Sequence, residues 1–269
     1  AATAHWVRMS PSTFPSIRGH HALAADTTRN RVVLFGGLNG GTWGDTWEWN
    51  GSNWVQRFPG SSPSARYYHA MVYDSARSVT VLFGGSGDLS DTWEWDGTNW
   101  TQRFPTTSPS GRSEHAMAYD SARGVTVLFG GNNGGGETWE YDGADWTQKF
   151  PATPPPSRKA HMMAYDSARG VVVLFGGDPG GPYLSDTWEY DGTNWVERTP
   201  GANPGTRASC AMAFDPVRSR TVLFGGHDGA VVRDETWEWD GTDWLQRVTT
   251  TQPSKRYYQA MAFDPVQQA

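Results

Sequence analysis

One short motif recurs along the whole chain. Leu-Phe-Gly-Gly occurs five times, at intervals of 46 to 49 residues, and its phenylalanines are Phe35, Phe83, Phe129, Phe175 and Phe224. A period of this length means that each unit is one supersecondary element, which buries its apolar face only by stacking on its neighbours. The chain is therefore expected to fold as an array of five near-identical units.

Each unit predicts four short strands. In the second unit, His69, Met71 and Tyr73 alternate with Ala70 and Val72, as in a strand with two unlike faces. Val79–Phe83 is continuously apolar, as in a strand buried on both sides. Trp93–Trp95 and Trp100–Phe104 flank the turn signal Asp96-Gly97 and predict a hairpin. No segment has a helical period, so the sequence predicts an all-β fold, a β-propeller of four-stranded antiparallel blades.

Spacing inside the units separates scaffold from variable loops. An arginine precedes the Phe of each Leu-Phe-Gly-Gly by 17 residues, and the first tryptophan of each hairpin precedes the second by 7. Only the loop between Gly-Gly and the third strand changes in length, which gives Phe-to-Trp spacings of 10 to 13 residues. Function concentrates in variable loops on rigid scaffolds, so this loop is the first place to expect a site.

The repeat also resembles a known family. A leading Arg-x-x-His, a Gly-Gly that closes the second strand, an aromatic third strand and a Trp that opens the fourth strand are together similar to Kelch repeats, over essentially the whole chain. The resemblance implies that the first strand lies at the channel, that the fourth lies on the rim, and that a Cβ would not fit at Gly-Gly. The repeats span approximately residues 18–65, 66–111, 112–157, 158–206 and 207–255 of a single domain, 1–269.

Both ends of the chain resemble parts of a further blade. Trp6–Met9 is similar to a rim strand and Arg256–Asp264 to an inner strand, so residues 1–17 and 256–269 predict an incomplete terminal blade. By resemblance this favours six blades, with five blades possible. The two absent middle strands would leave a gap of roughly 14 Å at about 4.8 Å per strand. Three explanations stay open: a fragment of a longer propeller, a five-bladed ring with spare ends, or strands supplied by a neighbouring subunit.

Positions that differ between the copies indicate a candidate ligand face. The turns between strands one and two and inside the hairpin barely change, whereas the residues before strand one and after Gly-Gly change in every copy. Aromatic side chains supply contact area and polar groups set orientation. The predicted ligand-binding residues are Trp43, Tyr67, Tyr68, Glu114, Lys159, Tyr183, Asp228, Arg233, Tyr257 and Tyr258.

The histidines and the cysteine are candidate metal ligands. His21, His69, His115 and His161 occupy one position of the repeat, where Cys210 and Gln259 stand in the remaining copies. A transition ion is one possibility, and oxidase chemistry of the galactose-oxidase type, with Cys210 near Tyr257 and Tyr258, is another. One residue per blade at a fixed position favours a structural role, so we expect no metal, no cofactor and no catalytic residue.

Fixed positions also explain most of the tryptophans and one set of acids. Fourteen of the 15 Trp residues occupy repeat positions, which favours packing between blades over a sugar-binding array. Trp43 is the exception, and we expect it to be exposed. The glutamates Glu48, Glu94, Glu140, Glu189 and Glu238 are expected to form ion pairs with the fourth-strand cations Arg57, Arg103, Lys149, Arg198 and Arg247.

Composition narrows the class of partner. The net charge is −6, and only three of the 22 cations are lysine, so no basic face predicts nucleic-acid binding. No apolar run reaches the length of a membrane span, so we expect no membrane insertion, and the first residues, AATAHWVRMS, do not resemble a signal peptide. A composition rich in Trp and Gly and poor in lysine indicates an extracellular or cell-surface protein.

These observations order three functions. The first is a non-enzymatic binding module that presents the variable loop face to a glycan or a protein. The second is a structural subunit of an oligomer or filament, which self-associates by strand exchange through the incomplete blade. The third is an enzyme of the Kelch-type oxidase or sugar-isomerase kind.

Overall fold

The computed structural model describes residues 6–268 and shows five four-stranded antiparallel sheets, each an ordinary meander in chain order. Blade 1 contains β1 Ala22–Asp26, β2 Arg31–Leu38, β3 Thr42–Trp49 and β4 Trp54–Arg57. Blade 2 contains β5 Ala70–Asp74, β6 Val79–Phe83, β7 Thr92–Trp95 and β8 Trp100–Arg103. Blade 3 contains β9 Ala116–Asp120, β10 Val125–Phe129, β11 Thr138–Tyr141 and β12 Trp146–Lys149. Blade 4 contains β13 Met162–Asp166, β14 Val171–Gly177, β15 Leu184–Tyr190 and β16 Trp195–Arg198, and blade 5 contains β17 Ala211–Asp215, β18 Arg220–Phe224, β19 Thr236–Trp239 and β20 Trp244–Arg247.

The described part of the chain is all-β, and the four strands that the sequence predicts for each unit are confirmed. No helix able to span a membrane occurs among these residues. The second strand of blades 1 to 4 is buried on both faces, as its continuous apolar sequence predicts; in β6, Val81, Leu82 and Phe83 are fully inaccessible to solvent. In β18 of blade 5, Val222 is half-buried. The fold is a five-bladed β-propeller, which is the smaller of the two blade numbers that the sequence allows.

Tryptophans join each blade to the preceding one. Trp95 of blade 2 donates a hydrogen bond from Nε1 to Oε1 of Glu48 in blade 1 at 3.0 Å, and Trp100 donates to Oγ1 of Thr46 at 2.9 Å. The Trp100 ring also meets Phe35 edge-on, with centroids 5.2 Å apart. Buried aromatics of this size contribute both apolar area and a satisfied polar edge. The structural role predicted for the repeat tryptophans is confirmed.

Ion pairs hold the same strand-three glutamate in place. The buried carboxylate of Glu48 accepts hydrogen bonds from Arg57 of β4 at 2.8 Å and from Arg29 at 2.6 Å. Arg29, in the turn between β1 and β2, also bonds Asp26 at 2.7 Å. The predicted pairing of each strand-three glutamate with a fourth-strand cation is present in all five blades. The turn arginine is an additional partner that the sequence analysis did not identify.

The terminal segments lie at a sixth position around the channel. Trp6 packs against Phe224 with ring centroids 5.0 Å apart and donates from Nε1 to Oγ1 of Thr236 at 2.8 Å, so it stands where a fourth-strand tryptophan would. Residues 256–264 stand where a first strand would, and Asp264 accepts a hydrogen bond from Trp49 at 2.7 Å. No four-stranded sheet forms there among residues 6–268. Residues 1–5 and 269 of the predicted terminal blade lie outside the described residues.

Candidate functional site: the channel mouth

Six backbone segments meet at one end of the channel. The residue just before the His position of each copy belongs to a circle that we call the mouth ring: His20, Tyr68, Glu114, Ala160, Ser209 and Tyr258. Each member donates its N–H to the carbonyl of the preceding member at 2.8 to 3.1 Å, and Tyr258 closes the circle to His20. The ring therefore has six members although only five sheets surround it.

The mouth ring holds an uncommon backbone conformation. All six residues have positive φ, from 51° to 61°, although none is glycine. Left-handed backbone at a residue with a Cβ costs roughly 1–2 kcal/mol, so it persists only where surrounding contacts impose it. Here the circle of hydrogen bonds imposes it on every member. Strain of this kind is concentrated at binding and active sites.

In each of the five blades, a buried arginine two residues before the mouth-ring residue holds this segment to the rest of the blade. Arg66 is 1% exposed, and its guanidinium bonds Asp91 at 2.6 and 2.8 Å and the carbonyl of Gly84 at 3.0 Å. In the other blades the equivalent arginine forms the same ion pair, and its partner is the Asp or Glu immediately before the Thr-Trp-Glu of strand three. The sequence analysis missed this role, although the fixed Asp or Glu at that position was a usable signal.

One half of the mouth is aromatic. Seven rings form a continuous chain of contacts that we call the aromatic cluster: Tyr67, Tyr68, His20, Tyr258, Tyr257, His227 and Tyr183. Neighbouring centroids are 3.9 Å apart for His20 and Tyr258, 4.3 Å for His20 and Tyr68, and 5.3 Å for Tyr183 and His227. The structure thus brings together all five tyrosines that the sequence singled out.

Two histidines join this cluster that the predicted set omitted. His20 occupies the same ring position as Tyr68 and Tyr258, and that equivalence could have identified it. Burial lowers the pKa of His20 to about 4, so its imidazole is neutral at physiological pH. His227 follows a Gly-Gly in a variable loop, which is where variation was expected. Burial also lowers the pKa of His227, although the negative charge of Asp228 raises it.

The other half of the mouth is polar. Glu114 accepts a hydrogen bond from Nδ2 of Asn132 at 3.1 Å, and Nζ of Lys159 lies 3.8 Å from its carboxylate. Burial raises the pKa of Glu114, although Lys159 and Asn132 act in the opposite direction. Asp228 forms an ion pair with Arg233 at the edge of the cluster. Of the four predicted polar residues, Glu114 lines the mouth and Lys159 lies beside it, whereas Asp228 and Arg233 lie in the loop that follows His227.

Two cavities open at this face. The first, about 170 Å³, continues the mouth into the channel between the six inner segments. The second, about 440 Å³, is open and shallow, and lies beside Tyr183. Its walls are Asp178, Gly180, Gly181, Pro182, Tyr183, Asp228 and Gly229. Tyr183 is the aromatic residue among these walls, and Asp178 and Asp228 supply carboxylates.

Trp43 differs from the prediction. It lies in β3 and is half-buried, whereas the sequence predicted an exposed residue. The guanidinium of Arg18 stacks over its ring, 4.7 Å from the ring centroid. None of the ring contacts of the aromatic cluster involves it. The reason is that β2 and β3 of blade 1 are extended by pairing of Gly37 with Trp43, which draws this residue out of the loop.

The inner histidines pack between blades. The ring of His69 meets Phe35 of the preceding blade edge-on at 5.6 Å, and its Cε1 lies against the space beside Gly36. Gln259, at the same position of the sixth segment, donates from Nε2 to the carbonyl of Phe224 at 2.9 Å. Burial, with a smaller effect of a neighbouring arginine, lowers the pKa of His69 far below its ordinary value and that of His115 to about 3.

Cys210 takes the histidine position in blade 5 and is fully buried. Burial raises the pKa of its thiol to about 11, so the side chain is protonated at neutral pH. Among residues 6–268 no group of three or more His, Cys, Asp or Glu side chains is arranged to hold a metal ion. The inner positions therefore have a structural explanation in the contacts between blades.

No protein-family model matches this chain, and a search of curated proteins found no significant match. The binding role of the ten predicted residues stays a prediction, but nine of them border the mouth or the loops beside it.

Proposed function

We propose that this protein is a Kelch-type propeller that acts as a non-enzymatic binding module, and that the channel mouth takes a glycan. The observation that carries the proposal is the aromatic cluster. Seven rings converge there on a strained backbone circle, and the half-buried Glu114, Asn132 and Lys159 lie opposite.

This arrangement matches the chemistry of a sugar. The C–H face of a pyranose packs on an aromatic ring, while carboxylate, amide and ammonium groups bond its hydroxyls. The open cavity of about 440 Å³ beside Tyr183 has room for one or two sugar rings. Binding of this kind suits an extracellular or cell-surface protein, which is where we place it. The oxidase and isomerase alternatives gain no supporting geometry from residues 6–268.

The test is a glycan array followed by titration calorimetry with the glycans that bind. Tyr257 is 46% exposed, so Tyr257→Ala removes a ring of the cluster without opening a core. We expect Tyr257→Ala to weaken binding about fivefold, because stacking on one aromatic ring contributes on the order of 1 kcal/mol.

Phe104→Ala is the matched control, because Phe104 is an 83% exposed ring on the rim, away from the mouth. It is expected to leave the affinity unchanged. Absence of binding by the wild-type protein, or equal loss in the Phe104 variant, would contradict the glycan proposal.

A further inference from the structure

The open cavity beside Tyr183 has charged walls of one sign. Asp178 and Asp228 supply its carboxylates, from the loops that follow the Gly-Gly of blades 4 and 5. The other walls are the ring of Tyr183, three glycines and one proline. Within the described chain, no arginine, lysine or histidine is part of these walls. A ligand in this cavity therefore meets an aromatic ring and negative charge.

Asp178 is the carboxylate of this cavity that has no cationic partner. It is half-buried, and its Oδ1 accepts a hydrogen bond from the backbone N–H of Gly180 at 2.8 Å. It forms no ion pair with any residue that the structure describes, whereas Asp228 pairs with Arg233. Because a partly buried charge is costly without a partner, Asp178 favours a cationic group from a ligand.

The protein's own cations on this face are engaged elsewhere. Their partners are as follows: Lys159 lies beside Glu114, Arg233 pairs with Asp228, and the guanidinium of Arg256 bonds Ser254. None of the three is a wall of the cavity among the described residues. The negative charge of Asp178 is therefore left to act on whatever occupies the cavity.

Tyr183 both senses this charge and adds to the attraction. Burial raises the pKa of its phenol, and the charge of Asp178 is the largest electrostatic contribution in the same direction. A negative potential that disfavours a phenolate favours a cation at the same place. The face of a tyrosine ring also attracts a cation through its quadrupole. Carboxylate and ring thus favour the same kind of ligand group.

We propose that this cavity binds an ammonium group, and that the preferred glycan carries an amino sugar whose amine is not acetylated. This inference rests on the glycan function proposed above and names its substrate class. The ammonium bonds the carboxylate of Asp178 and lies against Tyr183, while the sugar rings pack on the neighbouring aromatic cluster. Acetylation removes the charge, and a uronic acid or sulfate brings a negative charge towards the two aspartates, so such glycans bind more weakly.

The experiment compares three β-1,4-linked trisaccharides by titration calorimetry near pH 6.5. The glucosamine trimer, the N-acetylglucosamine trimer and the glucose trimer share one backbone and differ at C2, which carries ammonium, acetamide or hydroxyl. We expect the glucosamine trimer to bind about tenfold more tightly than the other two, as expected for one charge-assisted pair. Asp178→Asn should abolish this preference, because the amide oxygen keeps the hydrogen bond from Gly180 but carries no charge.

Asp96→Asn is the matched control, because it removes the same charge at the opposite end of a blade. Asp96 is exposed in the turn between β7 and β8, where its carboxylate accepts hydrogen bonds from the N–H groups of Thr98 and Asn99. Asn50 makes the equivalent bonds in blade 1, so asparagine fits this turn. The preference for the glucosamine trimer should stay unchanged in this variant.

Methylammonium tests the cation site without any sugar. Saturation-transfer NMR on its methyl resonance should show binding to the wild-type protein and a loss of binding in Asp178→Asn. Equal affinities for the three trisaccharides, or an amine preference that survives Asp178→Asn, would overturn this inference and leave the glycan function standing. Binding of methylammonium without binding of any glycan would keep the cation site and overturn the glycan function, and absence of binding by every probe would overturn both.

Discussion

Gly84→Ala is expected to destabilise the propeller by roughly 3–5 kcal/mol, which lowers the melting temperature by about 10 °C in a domain of this size. Gly84 closes β6 with φ of +64°, and a Cβ built there would lie 2.6 Å from the carbonyl oxygen of Arg112. That oxygen belongs to the backbone of the next blade and cannot rotate away. Gly84→Val should be more damaging still, because a β-branched side chain is poorly tolerated at positive φ.

Gly87→Ala separates backbone strain from collision. Gly87 has φ of +84°, yet nothing lies within 4 Å of the space its Cβ would fill. Its replacement should therefore cost only about 1–2 kcal/mol, the strain of a left-handed alanine. Thermal unfolding of both variants by calorimetry makes the comparison. Equal melting temperatures for the two would contradict the proposed contact between blades.

Mild acid is expected to unfold the protein through its buried histidines. His69, His115 and His161 are at most 6% exposed, and burial lowers each pKa far below the 6.5 of an exposed imidazole. Below pH 6.5 the unfolded chain binds protons that the folded chain does not, so the free energy of unfolding falls with pH. These three groups and His21, whose pKa burial lowers to about 4, together lower it by about 5 kcal/mol for each pH unit below 6.5, against a typical total of about 5–15 kcal/mol.

Urea titrations at pH 7.5, 6.5, 5.5 and 5.0 measure this slope. His115→Gln should reduce it by about a quarter, because it removes one of four such histidines. Gln259 shows that glutamine fits the same position and bonds a phenylalanine carbonyl. Carboxylates whose pKa is lowered by ion pairs change the free energy of unfolding only at a pH below the range of these titrations. The pKa of Glu48 is lowered, because hydrogen bonds from Arg29, Trp95 and Arg57 outweigh its burial, so its contribution is lost as pH falls below about 4.5. Stability that stays constant from pH 6.5 to 5 would contradict the histidine account.

Local pattern was enough to predict the blades. The alternation in the first strand, the apolar second strand and the Asp-Gly hairpin are properties of adjacent residues, and five copies of them left little freedom in the fold. The ion pair of Glu48 followed in the same way, because Arg57 lies two residues from Val55, the residue opposite Glu48, and is therefore its diagonal neighbour on the same sheet face. The variable positions also located the face that carries the mouth ring and the aromatic cluster, since the copies provide their own comparison.

Tertiary structure decided the rest, because it depends on contacts between residues far apart in the chain. The repeat places residues 256–264 on an inner strand, but His20 meets Tyr258 only when this segment closes the mouth ring. The left-handed backbone of the ring falls on tyrosine, glutamate and alanine, whose own preferences predict other conformations. Trp43 was misplaced because pairing with Gly37 extends its strand. The sequence by itself determined the repeating blade and its variable face, whereas ring closure alone decided which side chains share the mouth.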